Sequence, residues 1–177
     1  MKRAQQLDPL SLIISATLGD GLRLARRYDE AIEQVRKALE MDPSFAMGHW
    51  LLGLPYEQKA MYREAIAELQ GALELSKGSP YMLGALGHTY ALSGNRQRAR
   101  QAVADLQELS KRRYVSPFET ALIYTGFGDK ERALEWLERA LEDQSWGMIF
   151  LKVDPRFDRL RSDSRFAGLL RRMGLEP

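Results

Sequence analysis

The chain has 177 residues, 45% of them hydrophobic and 28% charged, which is ordinary for one folded domain or one continuous repeat array. Its 26 basic and 24 acidic side chains leave a formal net charge of +2, which argues against a dedicated binder of nucleic acid or anionic membrane. Cysteine is absent, so disulfides and Cys-based zinc or thiol chemistry are excluded.

In chain order, "MKRAQQLDPL" is basic but has no apolar core behind it, so it does not read as a signal peptide. No apolar run approaches the roughly 20 residues of a membrane span; Leu10 to Leu18 is interrupted by Ser11 and Ser15. Apolar periodicity predicts helices over 11–24, 28–40, 45–58, 62–75, 79–92, 96–109, 116–127 and 130–142. The breaks include "MDPS", "KGSP", "SGN", "YVSP" and "GDK", which carry turn and cap chemistry. The second helix of each pair aligns without gaps: "YDEAIEQVRKALE", "YREAIAELQGALE", "RQRARQAVADLQE" and "KERALEWLERALE". Their anchor residues Ala31, Ala65, Ala99 and Ala133 recur at a constant spacing of 34 residues. Amphipathic helices alone would give the 3.6-residue period but not this long one.

The segments before those anchors repeat as well. Leu52-Gly53 with Tyr56, and Leu86-Gly87 with Tyr90, follow one pattern; Leu18-Gly19 and Ala121 with Tyr124 follow it in part. Val35, Leu69, Val103 and Leu137 fill a bulky column, and Ala38, Ala72 and Ala140 a small one with Leu106 as the exception. This layout resembles the tetratricopeptide repeat (TPR) family over Met1 to Glu142. The resemblance implies an all-α, right-handed superhelical solenoid of about four helix pairs, in which small residues let the paired helices approach and stacking buries each repeat. Shifted back one period, Ala4 and Pro9 take the phase of Ala38 and Pro43, so residues 1–9 read as the remnant of a preceding repeat and the chain as a fragment. The four repeats occupy 10–145, and 146–177 reads as a C-terminal helical cap ending in a helix capped by Asp163 or Ser164. "DPRFDRLRSDSRFAGLLRRMGL" also resembles the end of TPR regions in bacterial multidomain signalling proteins, which join a winged-helix regulator, nucleotide cyclase or Ser/Thr kinase domain to the array. That resemblance implies an upstream output domain.

Nothing in the sequence supports catalysis. His49 and His88 have no carboxylate or Cys cluster around them, the serines lack a nucleophile elbow, and "GDGL" is not followed by the Lys of a phosphate loop. No metal or cofactor is expected. The basic clusters Arg96/Arg98/Arg100, Lys111/Arg112/Arg113 and those of the final segment are diluted by acids and lack interleaved aromatics, so they read as charged outer faces. The informative surface is the concave groove lined by the first helix of each repeat. The family's clamp for acidic chain ends needs a Lys and an Asn one turn apart, and the matching pairs here are Ala16/Asp20, Trp50/Leu54, Gly84/His88 and Phe118/Leu122. The clamp is therefore absent. The expected groove is apolar and aromatic, formed by Met47, Trp50, Leu54, Tyr81 and Phe118, with Asp20 and His88 as polar points. The competing reading is that Trp50 and Phe118 merely pack on neighbouring helices. The expected partner is a protein or peptide, in the cytoplasm, or in the periplasm or outside the cytoplasm if the parent is a membrane-anchored regulator; nucleic acid is not expected. Self-association is expected through Leu10, Leu12 and Ile13 on a helix that lacks its covering neighbour. Pro55, inside the third helix, is expected to kink or break it.

Overall fold

The computed structural model describes residue 8 and residues 11–175. Within them the regular structure is helical: α1 (Leu12–Leu24), α2 (Tyr28–Met41), α3 (Ala46–Gln58), α4 (Tyr62–Leu75), α5 (Pro80–Leu92), α6 (Arg96–Ser110), α7 (Pro117–Phe127) and α8 (Lys130–Glu142). Two 3-10 helices, η1 (Trp146–Phe150) and η2 (Pro155–Leu160), precede α9 (Ser164–Arg172). No described helix is long and apolar enough to cross a membrane. The chain forms two compact units, Met1–Met82 and Leu83–Pro177, with the division falling inside α5. The remnant read at residues 1–9 lies, but for Asp8, outside the described residues, as does Leu10.

In the first unit α1 pairs with α2 and α3 with α4, while α3 packs on both α1 and α2. The period explains the pairing. A Cβ added at Gly19 would come within 2.3 Å of Val35 Cγ2, and one at Gly53 within 2.6 Å of Leu69 Cγ. Only glycine lets the first helix of each pair approach the bulky column of the second so closely. Ala31, Ala65, Ala99 and Ala133 are all fully buried, as their shared position in the repeat requires. Each fully buried Leu or Val of these columns contributes roughly 1.5–3 kcal/mol. The turn inside each pair repeats too: Arg26, Ala60, Gly94 and Gly128 have φ of 62°, 57°, 82° and 73°. The first two are side-chain-bearing residues held in the left-handed region, where an L-residue is strained. α3 runs unbroken through Pro55, so the two-piece alternative does not hold.

In the second unit α6 packs on α7, and α7 pairs with α8. Helix starts follow the cap chemistry: Asn95, Ser116, Asp129 and Asp163 each accept a hydrogen bond from a backbone N–H of the following turn. The segment after α8 continues the stack. η2 packs on α7 and α9 packs on α8. Ala167 in α9 stands 34 residues after Ala133, so the alanine column reaches into a region that lacks the other repeat marks. Phe118, Phe157 and Phe166 form a continuous aromatic core with centroid distances of 5.4 and 6.5 Å. On the surface the Arg165 guanidinium makes a two-pronged pair with Glu131 at 2.8 and 2.9 Å, tying α9 to α8.

Candidate functional site

The seven residues expected to line the groove divide between the units and between surface and core. Met47 and Tyr81 are exposed, at 39% and 37%. They hold equivalent positions one period apart, near the starts of α3 and α5. Trp50, one turn after Met47, is half-buried, and its indole N–H is buried with no hydrogen-bond acceptor among the described residues. A buried donor without a partner is a rare and costly state. Asp20 is half-buried and accepts a bond from Arg23 Nε at 2.7 Å, so its charge is already matched.

Leu54, His88 and Phe118 do not belong to an open groove, and each expectation is corrected by burial. Leu54 is 1% exposed and lies in the apolar core. His88 is 2% exposed; a Cβ on Gly126 of α7 would lie 3.0 Å from its Cδ2, so the imidazole is covered by that helix. Phe118 is 3% exposed: its ring packs on Phe157, and Gly147 sits so close that a Cβ there would come within 2.5 Å of it. The chain's own C-terminal segment therefore covers α7 where a partner was expected. For Phe118 the packing reading is the correct one.

Two ionisable groups of the first helices have surroundings that the sequence did not place. The His49 ring has Nδ1 2.6 Å from a Glu68 carboxylate oxygen and Nε2 2.9 Å from the Pro43 carbonyl. Both neighbours are acceptors, so only the imidazolium can donate to both. Burial alone lowers its pKa, but the bonds to Glu68 and to Pro43, with the carboxylate's charge, outweigh it and the pKa rises above 6.5. The charged ring ties the α2–α3 turn to α4.

In the second unit Glu119 of α7 is buried, and its carboxylate faces Gly84 of α5, where an added Cβ would lie 2.3 Å from Oε2. Burial pushes its pKa up to about 8, against the pull of the Arg156 guanidinium. At neutral pH it is a carboxylic acid, not a carboxylate. Arg156 is itself engaged by Asp154, through Nη2 at 2.6 Å and Nε at 3.1 and 3.0 Å from the two oxygens. A lone raised carboxyl can serve as a general acid, but the charged groups beside it, Arg156 and Asp154, are paired with each other. Among the described residues no group of three or more acidic or histidine side chains could hold a metal ion.

Residues 17–81 match the tetratricopeptide repeat family. No curated protein matches the chain in sequence. Among solved structures the chain is similar to a tetratricopeptide repeat protein from Parabacteroides merdae ATCC 43184, at 15% identity and a TM-score of 0.56 over 99% of this chain and 71% of that one. It is also similar to a chain of the structure of Naa15/Naa10 bound to HypK-THB, at 14% identity and a TM-score of 0.53 over 98% of this chain and 30% of that one. At these identities the likeness establishes the fold, which is all-α and of the tetratricopeptide-repeat kind.

Proposed function

We propose that this tetratricopeptide-repeat chain is a non-enzymatic interaction module that takes a peptide or helix of a protein partner on the face of α3 carrying Met47 and Trp50. Repeats of this family generally mediate protein–protein interaction. The observation that carries the reading is Trp50: a half-exposed aromatic beside the exposed Met47. Tyr81, at the equivalent position of α5, extends the set. Trp, Tyr and Met are the residue types that anchor partners. Asp20 lies at the corresponding position of α1 but is held by Arg23, and no clamp for an acidic chain end is present. The Naa15/Naa10 neighbour was itself solved as a complex, which supports assembly as the use of this stacking.

The test is selection of peptides from a displayed library, followed by affinity measurements on Trp50→Ala and Tyr81→Ala. Loss of an anchoring aromatic typically costs about 2 kcal/mol or more, roughly thirtyfold in Kd. Wild-type affinity in both variants, with helix content unchanged, removes this face from consideration. An intramolecular partner is the second reading, supported by the likeness of the C-terminal string to TPR regions of bacterial signalling proteins. Self-association belongs to the same proposal: Ile13 is 61% exposed and Leu12 half-buried on α1. Sedimentation of wild type and Ile13→Lys at rising concentration tests it, and identical monomeric behaviour of both refutes it.

A further inference from the structure

A cavity of about 300 Å³ opens in the second unit between α6 and the turn joining α7 to α8. Arg96 and Arg100, one turn apart on α6, meet Arg132 of α8 there, over Tyr124 and Phe127 and beside Asp129. Arginine stays protonated at every physiological pH, so three guanidiniums and one carboxylate leave the lining two charges positive. We propose that this cavity binds a phosphate monoester dianion, presented as the phosphorylated side chain of a protein partner.

Four observations converge on that ligand. First, the charges stand where they oppose folding. α6 has no acidic residue in its first turn but carries Arg96 and Arg98 there, at the positive end of the helix dipole. Arg132 also stands in the first turn of α8, there beside Glu131 and the Asp129 cap. Cations at two helix starts repel the dipoles and one another, yet an anion seated between them meets both helix ends and all three side chains favourably.

Second, Arg96 and Arg100 are only lightly engaged. Among the described residues Arg100 makes no hydrogen bond or ion pair, and Arg96 makes only a stacking contact, its guanidinium carbon 5.0 Å from the Phe127 centroid. Arg132 lies 5.4 Å from the Tyr124 centroid and 3.4 Å from Asp129. The aromatic rings orient two of the three guanidiniums before any ligand arrives. Third, Asp129 is already occupied. Its carboxylate caps α8 by accepting from the Arg132 backbone N–H at 3.2 Å and pairs with the Arg132 side chain, so it reduces the positive field without filling the cavity. Fourth, the net charge matches a monoester dianion. A single carboxylate would leave one positive charge uncompensated, and a phosphodiester carries only one negative charge per phosphate. The bounded size of the cavity, about 300 Å³, suits one compact anion better than a polymer backbone. The site belongs to the second unit and Trp50 to the first, and it stands or falls independently of the face proposed above.

The test is an NMR titration of arginine-labelled protein at fixed ionic strength with N-acetyl-phosphoserine amide. The unphosphorylated amide, N-acetyl-glutamate amide and a dinucleotide serve as comparison probes. The expected result is saturable shifts of the Arg96, Arg100 and Arg132 side-chain N–H signals with phosphoserine, at least about tenfold weaker with glutamate. Arg100→Gln should weaken phosphoserine binding at least about tenfold, because a charge-assisted bond is lost without removing any structural support. Arg98→Gln is the control on the same helix: that side chain lies over Tyr90 at 5.4 Å, donates to its hydroxyl at 3.2 Å and does not line the cavity. It should bind as wild type does. Absence of saturation, equal loss in the Arg98 and Arg100 variants, or wild-type affinity in Arg100→Gln overturns the proposal. Tighter binding of the dinucleotide than of phosphoserine also overturns it, and assigns the patch to nucleic acid.

Discussion

Replacing Glu119 by Gln keeps the shape of a buried side chain and removes its proton equilibrium. In the unfolded chain this carboxyl titrates at its ordinary 4.5; in the folded unit burial lifts the value to about 8, with Arg156 opposing the shift. Between those values the native state holds a proton that the unfolded state has released. Stability therefore falls as pH rises through that window, and the loss is complete above the folded value. At about 1.4 kcal/mol per pH unit, the span from 4.5 to pH 7 corresponds to a loss on the order of 3 kcal/mol. The charged groups near the carboxyl are Arg156 and its partner Asp154, and Gly84 of α5 contributes no charge. Urea unfolding followed by circular dichroism, from about pH 5 to about pH 8, provides the assay. Wild type and Glu119→Gln should be nearly equal at the acid end and diverge as pH rises, the variant becoming more stable by about 3 kcal/mol near pH 7 with an unchanged m-value. Parallel curves for the two proteins would refute the picture of a buried neutral acid.

His49 behaves with the opposite sign of charge. Its raised pKa means that its stabilisation is fully present below about 6.5, the unfolded value, and is lost as pH rises through the folded value; an NMR titration should place that value above 6.5, and His49→Gln should flatten the stability of the first unit across this range. Gly84→Ala drives a methyl to 2.3 Å from Glu119 Oε2 and 3.2 Å from its backbone Cα, so urea unfolding should register a loss of about 1–3 kcal/mol. Ala60→Gly relieves a left-handed residue at φ 57° that costs about 1–2 kcal/mol, against an added chain entropy of roughly 0.5–1 kcal/mol. The expected outcome is a gain of up to about 1 kcal/mol in thermal or urea unfolding.

The helices were legible to within a residue or so because the alanine column records a packing constraint. Ala31, Ala65, Ala99 and Ala133 sit where two helices touch, and no larger side chain fits there. The exposure of the candidate residues was legible only where a position depends on its own helix. Met47 and Tyr81 face outward as their register predicts. Phe118 does not, because its exposure is decided by η1 and η2, which lie about 30 to 40 residues onward and carry none of the repeat's marks. Periodicity cannot announce what a non-periodic segment covers. Glu119 was overlooked for a similar reason: one Glu in a helix reads as a solvated charge until the neighbouring glycine and the later Arg156 are placed beside it. Arg96 and Arg100 read as part of a charged outer face, and Arg132 is not joined to them because the sequence sets it a whole helix away.

The aromatic core of the second unit also carries a temporal consequence. A chain leaving the ribosome presents Phe118 long before Phe157 and Phe166 have been made. Until those two rings emerge, α7 and α8 have a wet, sticky side and nothing of their own to close it. The last thirty or so residues are thus a built-in lid on a hazard of synthesis. Premature stops or slow translation just after Glu142 should yield chains that are captured by chaperones or aggregate, even though every full TPR-like helix pair has already been made.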